Sequence, residues 1–129
     1  MPRIALTALV VKDYDPAIDF YVKRLGFDLV EDTDLGAGKR WVVVRPPGAV
    51  ESGLLLARAD GGDQAARIGD QTGGRVFLFL HTDDFQRDFD AMTRAGVRFL
   101  EAPRREAYGT VAVFEDLYGN RWDLIEPRG

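Results

Sequence analysis

Cysteine is absent, and histidine, serine and asparagine occur once each, as His81, Ser52 and Asn120. Without cysteine there can be no thiolate zinc site, iron–sulfur cluster, disulfide framework or cysteine nucleophile. A single histidine excludes every two-histidine metal site within one chain. A serine–histidine–acid triad would have to use Ser52 and His81, and neither lies in a nucleophile-elbow sequence. Asn120 is followed by Arg121-Trp122, so no N-glycosylation sequon exists. Apolar runs never exceed strand length, which argues against a membrane span. Acids and bases, 21 and 17 for a net charge of −4, are interspersed without a basic stripe, so nucleic acid is not an expected partner. The opening MPRIALTALVVKD lacks the layout of a signal peptide, and a cytoplasmic location is expected.

What is present suits one packed domain. The chain has 129 residues, of which 46% are hydrophobic, enough for a core at this length. Ile4–Val11 is a β-prone apolar run that predicts a strand buried on both faces. Asp15-Pro16 then reads as a helix start, with Asp15 as N-cap and Pro16 in the first helical position. Ile18, Tyr21, Val22 and Leu25 form one apolar face, and Gly26 stands where a left-handed residue closes a helix. Strands are expected at Phe27–Glu31, Arg40–Arg45 and Leu54–Ala57, separated by turn-forming Gly36-Ala37-Gly38 and Pro46-Pro47-Gly48.

The second half repeats this order. Val76–His81 reads as a strand, and Asp83-Asp84 precede a helix whose apolar face is Phe85, Phe89 and Met92. Gly96 ends that helix, and strands follow at Val97–Leu100, Thr110–Glu115 and Trp122–Glu126. Aligning Asp13 with Asp83 also pairs Arg24 with Arg94, Gly26 with Gly96 and Glu31 with Glu101, a constant offset of 70. A period longer than half the chain suits a duplicated module, not a solenoid. The expected class is α+β: two tandem βαβββ modules, 1–57 and 76–129, joined by a linker at 58–75 with one helical turn near Asp63–Arg67. Together they form a single domain, a curved, incomplete barrel around a central cleft.

The residues Lys12-Asp13, Phe20-Tyr21-Val22-Lys23-Arg24-Leu25-Gly26-Phe27, Thr82-Asp83-Asp84-Phe85, Ala95-Gly96-Val97 and Phe114–Leu124 resemble, in order, the motifs of the vicinal oxygen chelate superfamily. That superfamily includes glyoxalase I, extradiol dioxygenases and fosfomycin- and bleomycin-resistance proteins. Leu117 stands where the family's closing motif usually has proline. Residues 116–120 read by themselves as a tight turn, with Gly119 and Asn120 able to take positive φ.

The resemblance implies metal ligands at four positions. These fall on Leu6, near Leu54, on Phe77 (or Val76 if the register slips by one) and on Asp123. Three are apolar and cannot donate a lone pair, whereas a catalytic divalent site needs about three protein ligands. No cofactor is therefore expected; Asp123 is the one candidate ligand at a family position, and a divalent metal is the alternative. The same mapping implies a cleft lined by Leu6, Ala8, Leu54, Leu56, Phe77, Phe79 and Phe114, with His81, Arg121 and Asp123 as polar groups. Strand alternation independently puts Phe77, Phe79 and His81 on one face. Trp41, Tyr108 and Trp122 are aromatics able to stack on a planar ligand or to fill the core. A mostly apolar pocket with few polar groups suits a small molecule.

Two functions follow. One is a metal-independent protein that binds a small amphipathic or aromatic ligand, as bleomycin-resistance proteins do. The other is a lyase, isomerase or dioxygenase using Asp123 in a non-standard metal set. The resemblance further implies a homodimer.

Overall fold

A computed structural model describes residues 1–128. The chain divides into two compact units, Met1–Ile68 and Gly69 onward. Each holds its own sheet and helix, and the nine strands among the described residues form two open sheets with no closed barrel.

In the first unit the strands are β1 (Leu6–Val11), β2 (Asp28–Gly36), β3 (Lys39–Arg45) and β4 (Gly53–Arg58), in the order β1-β4-β3-β2. β1 runs parallel to β4 and the other pairs are antiparallel. One face of this sheet is covered by α1 (Tyr14–Asp19) and its continuation. Leu9, Val11, Val42, Val44, Leu54 and Leu56 are buried there, with Tyr14, Ala17, Phe20, Tyr21 and Phe27 among the core residues of the same unit. Each such aliphatic side chain contributes about 1.5–3 kcal/mol of burial. The opposite face carries Leu6, Ala8, Trp41, Val43 and Leu55. The expectation that β1 is buried on both sides is therefore wrong: Leu6 and Ala8 are exposed, because only one face has a helix against it.

α1 also begins earlier than expected. The N-cap is Asp13, whose Oδ1 accepts from the Tyr14 N–H at 2.8 Å, and not Asp15. Pro16 is tolerated because it still lies in the first turn, where N–H groups have no intrahelical acceptor. Residues Phe20–Arg24 then continue as a π-helical turn, with the Leu25 N–H bonded to the Phe20 carbonyl at 3.1 Å. This turn carries both Phe20 and Tyr21 into the core, so the buried face is Tyr14, Ala17, Phe20 and Tyr21. Ile18, Val22 and Leu25 remain only half-buried.

The second unit contains β5 (Val76–His81), β6 (Arg98–Phe99), β7 (Arg104–Glu106), β8 (Gly109–Glu115) and β9 (Arg121–Pro127). β9 is central, parallel to β5 and antiparallel to β8, and both β6 and β7 pair with the far edge of β8. A four-residue helix, α2 (Gly62–Ala65), precedes this unit. The longer helix α3 (Phe85–Arg94) has Asp84 as N-cap, its Oδ1 accepting from the Arg87 N–H at 3.1 Å. Glu126 Oε1 accepts from the Phe85 N–H at 2.7 Å, which ties the helix start to β9. Ring contacts run from Phe85 through Phe89, Phe99 and Phe114 to Trp122 and make the core beneath α3.

Duplication is visible in the registers and corrects the offset. The two N-caps, Asp13 and Asp84, differ by 71, whereas Gly26 and Gly96, both at positive φ after their helices, differ by 70. The π-helical turn accounts for the difference, since it adds one residue to the first helix. β6 and β7 together occupy the place of β2: Leu29 pairs with Val44 as Phe99 pairs with Phe114. Beyond that point β2 continues through a bulge, whereas the second copy leaves the sheet and returns as β7. Sequence reading missed β7, whose three residues, Arg104-Arg105-Glu106, are all charged and give no apolar alternation.

Candidate functional site

The register of β9 decides where the sequence-predicted residues stand. Val113 and Asp123 are partners across β8–β9, and Phe79 and Asp123 across β5–β9. These three side chains therefore share a face, the one away from α3. His81, beside Ile125, and Arg121, beside Val76, lie on the same face. Phe79 is 60% exposed in mid-strand, an unusual position for a phenylalanine, while Asp123 next to it is only 8% exposed. His81 and Arg121 are exposed, and Arg121 Nη1 lies 3.4 Å from the Gly74 carbonyl.

Phe77 departs from this pattern. A bulge between Val76 and Leu78 breaks the alternation, so Phe79 and His81 do not fix its side. Three other predicted lining residues are in the cores. Leu54 and Leu56 share the helix-covered face of the first sheet, and Phe114 is fully buried against Phe99 and Trp122. Trp122 belongs to the same stack, which leaves Trp41 and Tyr108 as exposed aromatics. Leu6, Ala8 and Trp41 lie on the uncovered face of the first sheet. There Gly53 permits close packing: a Cβ at this position would stand 2.8 Å from Val43 Cγ1 and 3.4 Å from Leu6 Cδ2.

Pairing also decides between the alternatives at two of the family metal positions, near Leu54 and at Phe77 or Val76. Leu55 pairs with Ala8 and Val43 as Asp123 pairs with Phe79 and Val113, so Leu55, not Leu54, is the counterpart of Asp123. Leu6 opposite Gly53 matches Val76 opposite Arg121, so the bulge makes Val76, not Phe77, the counterpart of Leu6. The resulting four, Leu6, Leu55, Val76 and Asp123, include one donor side chain. Among the described residues no three His, Asp or Glu side chains come together as a possible metal cage. These residues do not fit a divalent ion held by one chain.

Around Asp123 the structure adds groups that sequence reading did not single out as site residues. Arg104 pairs with Val111 and so lies on the Asp123 face. Its Nε is 3.1 Å from both Glu101 oxygens, and its Nη1 is 3.0 Å from Glu106 Oε1. Hydrogen bonds that Arg104 donates to Glu106, Glu101 and Tyr108 hold its guanidinium firmly in the charged form. Glu101 Oε1 also accepts from the Val113 N–H at 3.1 Å, replacing a backbone partner where β6 leaves the sheet. Asp123 Oδ1 is buried without any hydrogen-bond partner. Burial pushes the Asp123 carboxyl above its ordinary pKa; Arg104 pulls it down and Glu101 pushes it further up. The one trace of this cluster in the sequence was the Glu31–Glu101 match between modules.

Comparison with known proteins agrees with this architecture. A family model described as "Glyoxalase/Bleomycin resistance protein/Dioxygenase superfamily" matches residues 3–124. An uncharacterized protein of Shewanella frigidimarina is 61% identical over 120 residues, covering 92% of this chain and 89% of that one. The crystal structure of UcmS2 superposes with a TM-score of 0.85 at 28% identity, covering 98% of both chains. That of TnmS3, an antibiotic binding protein from Streptomyces sp. CB03234, gives a TM-score of 0.79 at 31% identity, covering 99% of this chain and 98% of TnmS3.

Proposed function

This chain belongs to the glyoxalase/bleomycin resistance protein/dioxygenase superfamily, and from that premise we propose that it is a metal-independent protein that binds a small amphipathic or aromatic molecule. The observation that carries this reading is the pairing of an exposed Phe79 with a buried Asp123 on the sheet face away from α3. A large exposed ring gives a ligand an apolar surface to stack on, and a few polar groups beside it orient the ligand. Likeness to TnmS3, an antibiotic binding protein, supports a small-molecule ligand. The apolar side chains at Leu6, Leu55 and Val76 favour binding without metal, because a lone carboxylate competes poorly with water for a divalent ion. A homodimer in the cytoplasm belongs to the same proposal. Among the described residues no helix is long and apolar enough to cross a membrane.

Metal analysis of protein purified without chelator, followed by thermal shift, tests the reading. We expect no stoichiometric iron, manganese, nickel or zinc, and no change in melting temperature on adding Ni²⁺ or Mn²⁺. Amphipathic aromatic compounds should raise it, since a ligand at about a hundred times its Kd adds about 2.7 kcal/mol. One tightly bound divalent ion per chain, lost on Asp123→Ala, would overturn the proposal. Light scattering at micromolar concentration checks the dimer.

A further inference from the structure

We infer that the face of the second sheet away from α3 holds a donor-recognising subsite: the Asp123 carboxylate accepts a hydrogen bond from a hydroxyl or protonated amine on an apolar ligand lying against Phe79. This rests on the small-molecule reading above and specifies the ligand that reading leaves open. Asp123 is more than nine-tenths buried, yet its Oδ1 has no partner. An unmet buried acceptor is costly, and a ligand donor would relieve that cost on binding. The neighbouring cation does not meet the need by itself. Arg104 donates its hydrogen bonds to Glu101 and Glu106, at 3.0–3.1 Å, and to Tyr108, not to Asp123.

Charge gives the subsite its sign. Glu101 and Glu106 engage Arg104, so a ligand carboxylate or phosphate placed against Asp123 meets the like charge of that carboxylate without a free guanidinium to offset it. Among the described residues, Arg104 is the one cation that acts on the Asp123 carboxyl. The cross-strand partners of Asp123 are Phe79 on β5 and Val113 on β8, and Arg121 lies two residues along β9 with its guanidinium toward the Gly74 carbonyl. Phe79 supplies the complementary apolar surface. A ligand recognised here pairs a donor group with an aromatic or aliphatic body, and carries no anion at that end.

Four naphthalenes of one shape separate the possibilities by calorimetry or ligand-observed NMR: 2-naphthol, 2-naphthylmethylamine, 2-methoxynaphthalene and 2-naphthoate. The naphthol and the amine should bind the wild-type protein roughly ten- to a hundredfold more tightly than the methoxy compound, the range for a hydrogen bond to a charged group. The naphthoate should bind weakest. Asp123→Leu should erase these differences. Asp123→Asn, which keeps the acceptor oxygen and the volume, should retain part of the naphthol preference and lose the preference for the amine. If all four bind wild type equally, or the ranking survives in Asp123→Leu, the subsite is wrong while the small-molecule reading stands. If none binds at about millimolar concentration, the small-molecule reading loses its support and the subsite falls with it.

Discussion

Asp123→Asn removes a charge from the middle of β9 without changing the volume of the side chain, and it should make the free protein more stable at neutral pH. The carboxylate is 8% exposed, with one oxygen lacking any hydrogen-bond partner. Leaving such a group unsatisfied costs about 1–3 kcal/mol, and the neutral amide escapes most of the charge-dependent share. For a chain of this length, each kcal/mol moves the melting temperature by roughly 3–5 °C. The pH dependence carries the sharper test. Burial raises the folded-state pKa of Asp123 above its ordinary 3.8, so the folded protein holds this proton more tightly than the unfolded chain does. Stability contributed by the protonated form is therefore lost as pH rises from 3.8 through the raised pKa, and stays lost above it. The advantage of Asp123→Asn should be full at neutral pH and shrink steadily in acid. Urea unfolding of both proteins at about pH 7 and about pH 4 measures this. A variant no more stable than wild type at neutral pH, or an advantage unchanged in acid, would refute the reasoning.

Two further substitutions test the scaffold. Gly53→Ala places a Cβ 2.8 Å from Val43 Cγ1 and should destabilise by about 1–3 kcal/mol; adding Val43→Ala should recover part of the loss in a double-mutant cycle by urea unfolding. Asp84→Ala removes the α3 cap and should cost about 0.5–2 kcal/mol by the same assay, whereas Asp15→Ala, outside the cap of α1, should cost less.

Much of the fold was legible because its signals are local. Apolar β-prone runs marked β1, β3, β4, β5, β8 and β9 within a few residues of their ends, and Gly26 and Gly96 marked the ends of the two helices at positive φ. Where several local starts competed, the nearest strong signal misled. Asp15-Pro16 resembled a cap and first residue, but the Asp13 carboxylate reached the backbone first. The π-helical turn leaves no mark in composition, so α-helical spacing predicts a face around Tyr21 rotated from the one the structure buries.

The candidate site was less legible, because it depends on which strand lies beside which. Residue order alone determined that this chain is α+β, duplicated and matched in motif to one superfamily. It also determined that the chain lacks two histidines and that Asp123 is the one side chain with metal-binding oxygens among the family positions named from it. Tertiary structure decided the rest. The bulge at Phe77 shifted the register by one residue, the α3 core took Phe114 and Trp122, and the faces of β4 separated Leu55 from Leu54 and Leu56. Only folding brings Glu101 and Arg104, some twenty residues earlier in the chain, to act on the Asp123 carboxyl. The physical reason is range: caps, turns and apolar periodicity act within a few residues, whereas register, burial and charge pairing are set between strands distant along the chain.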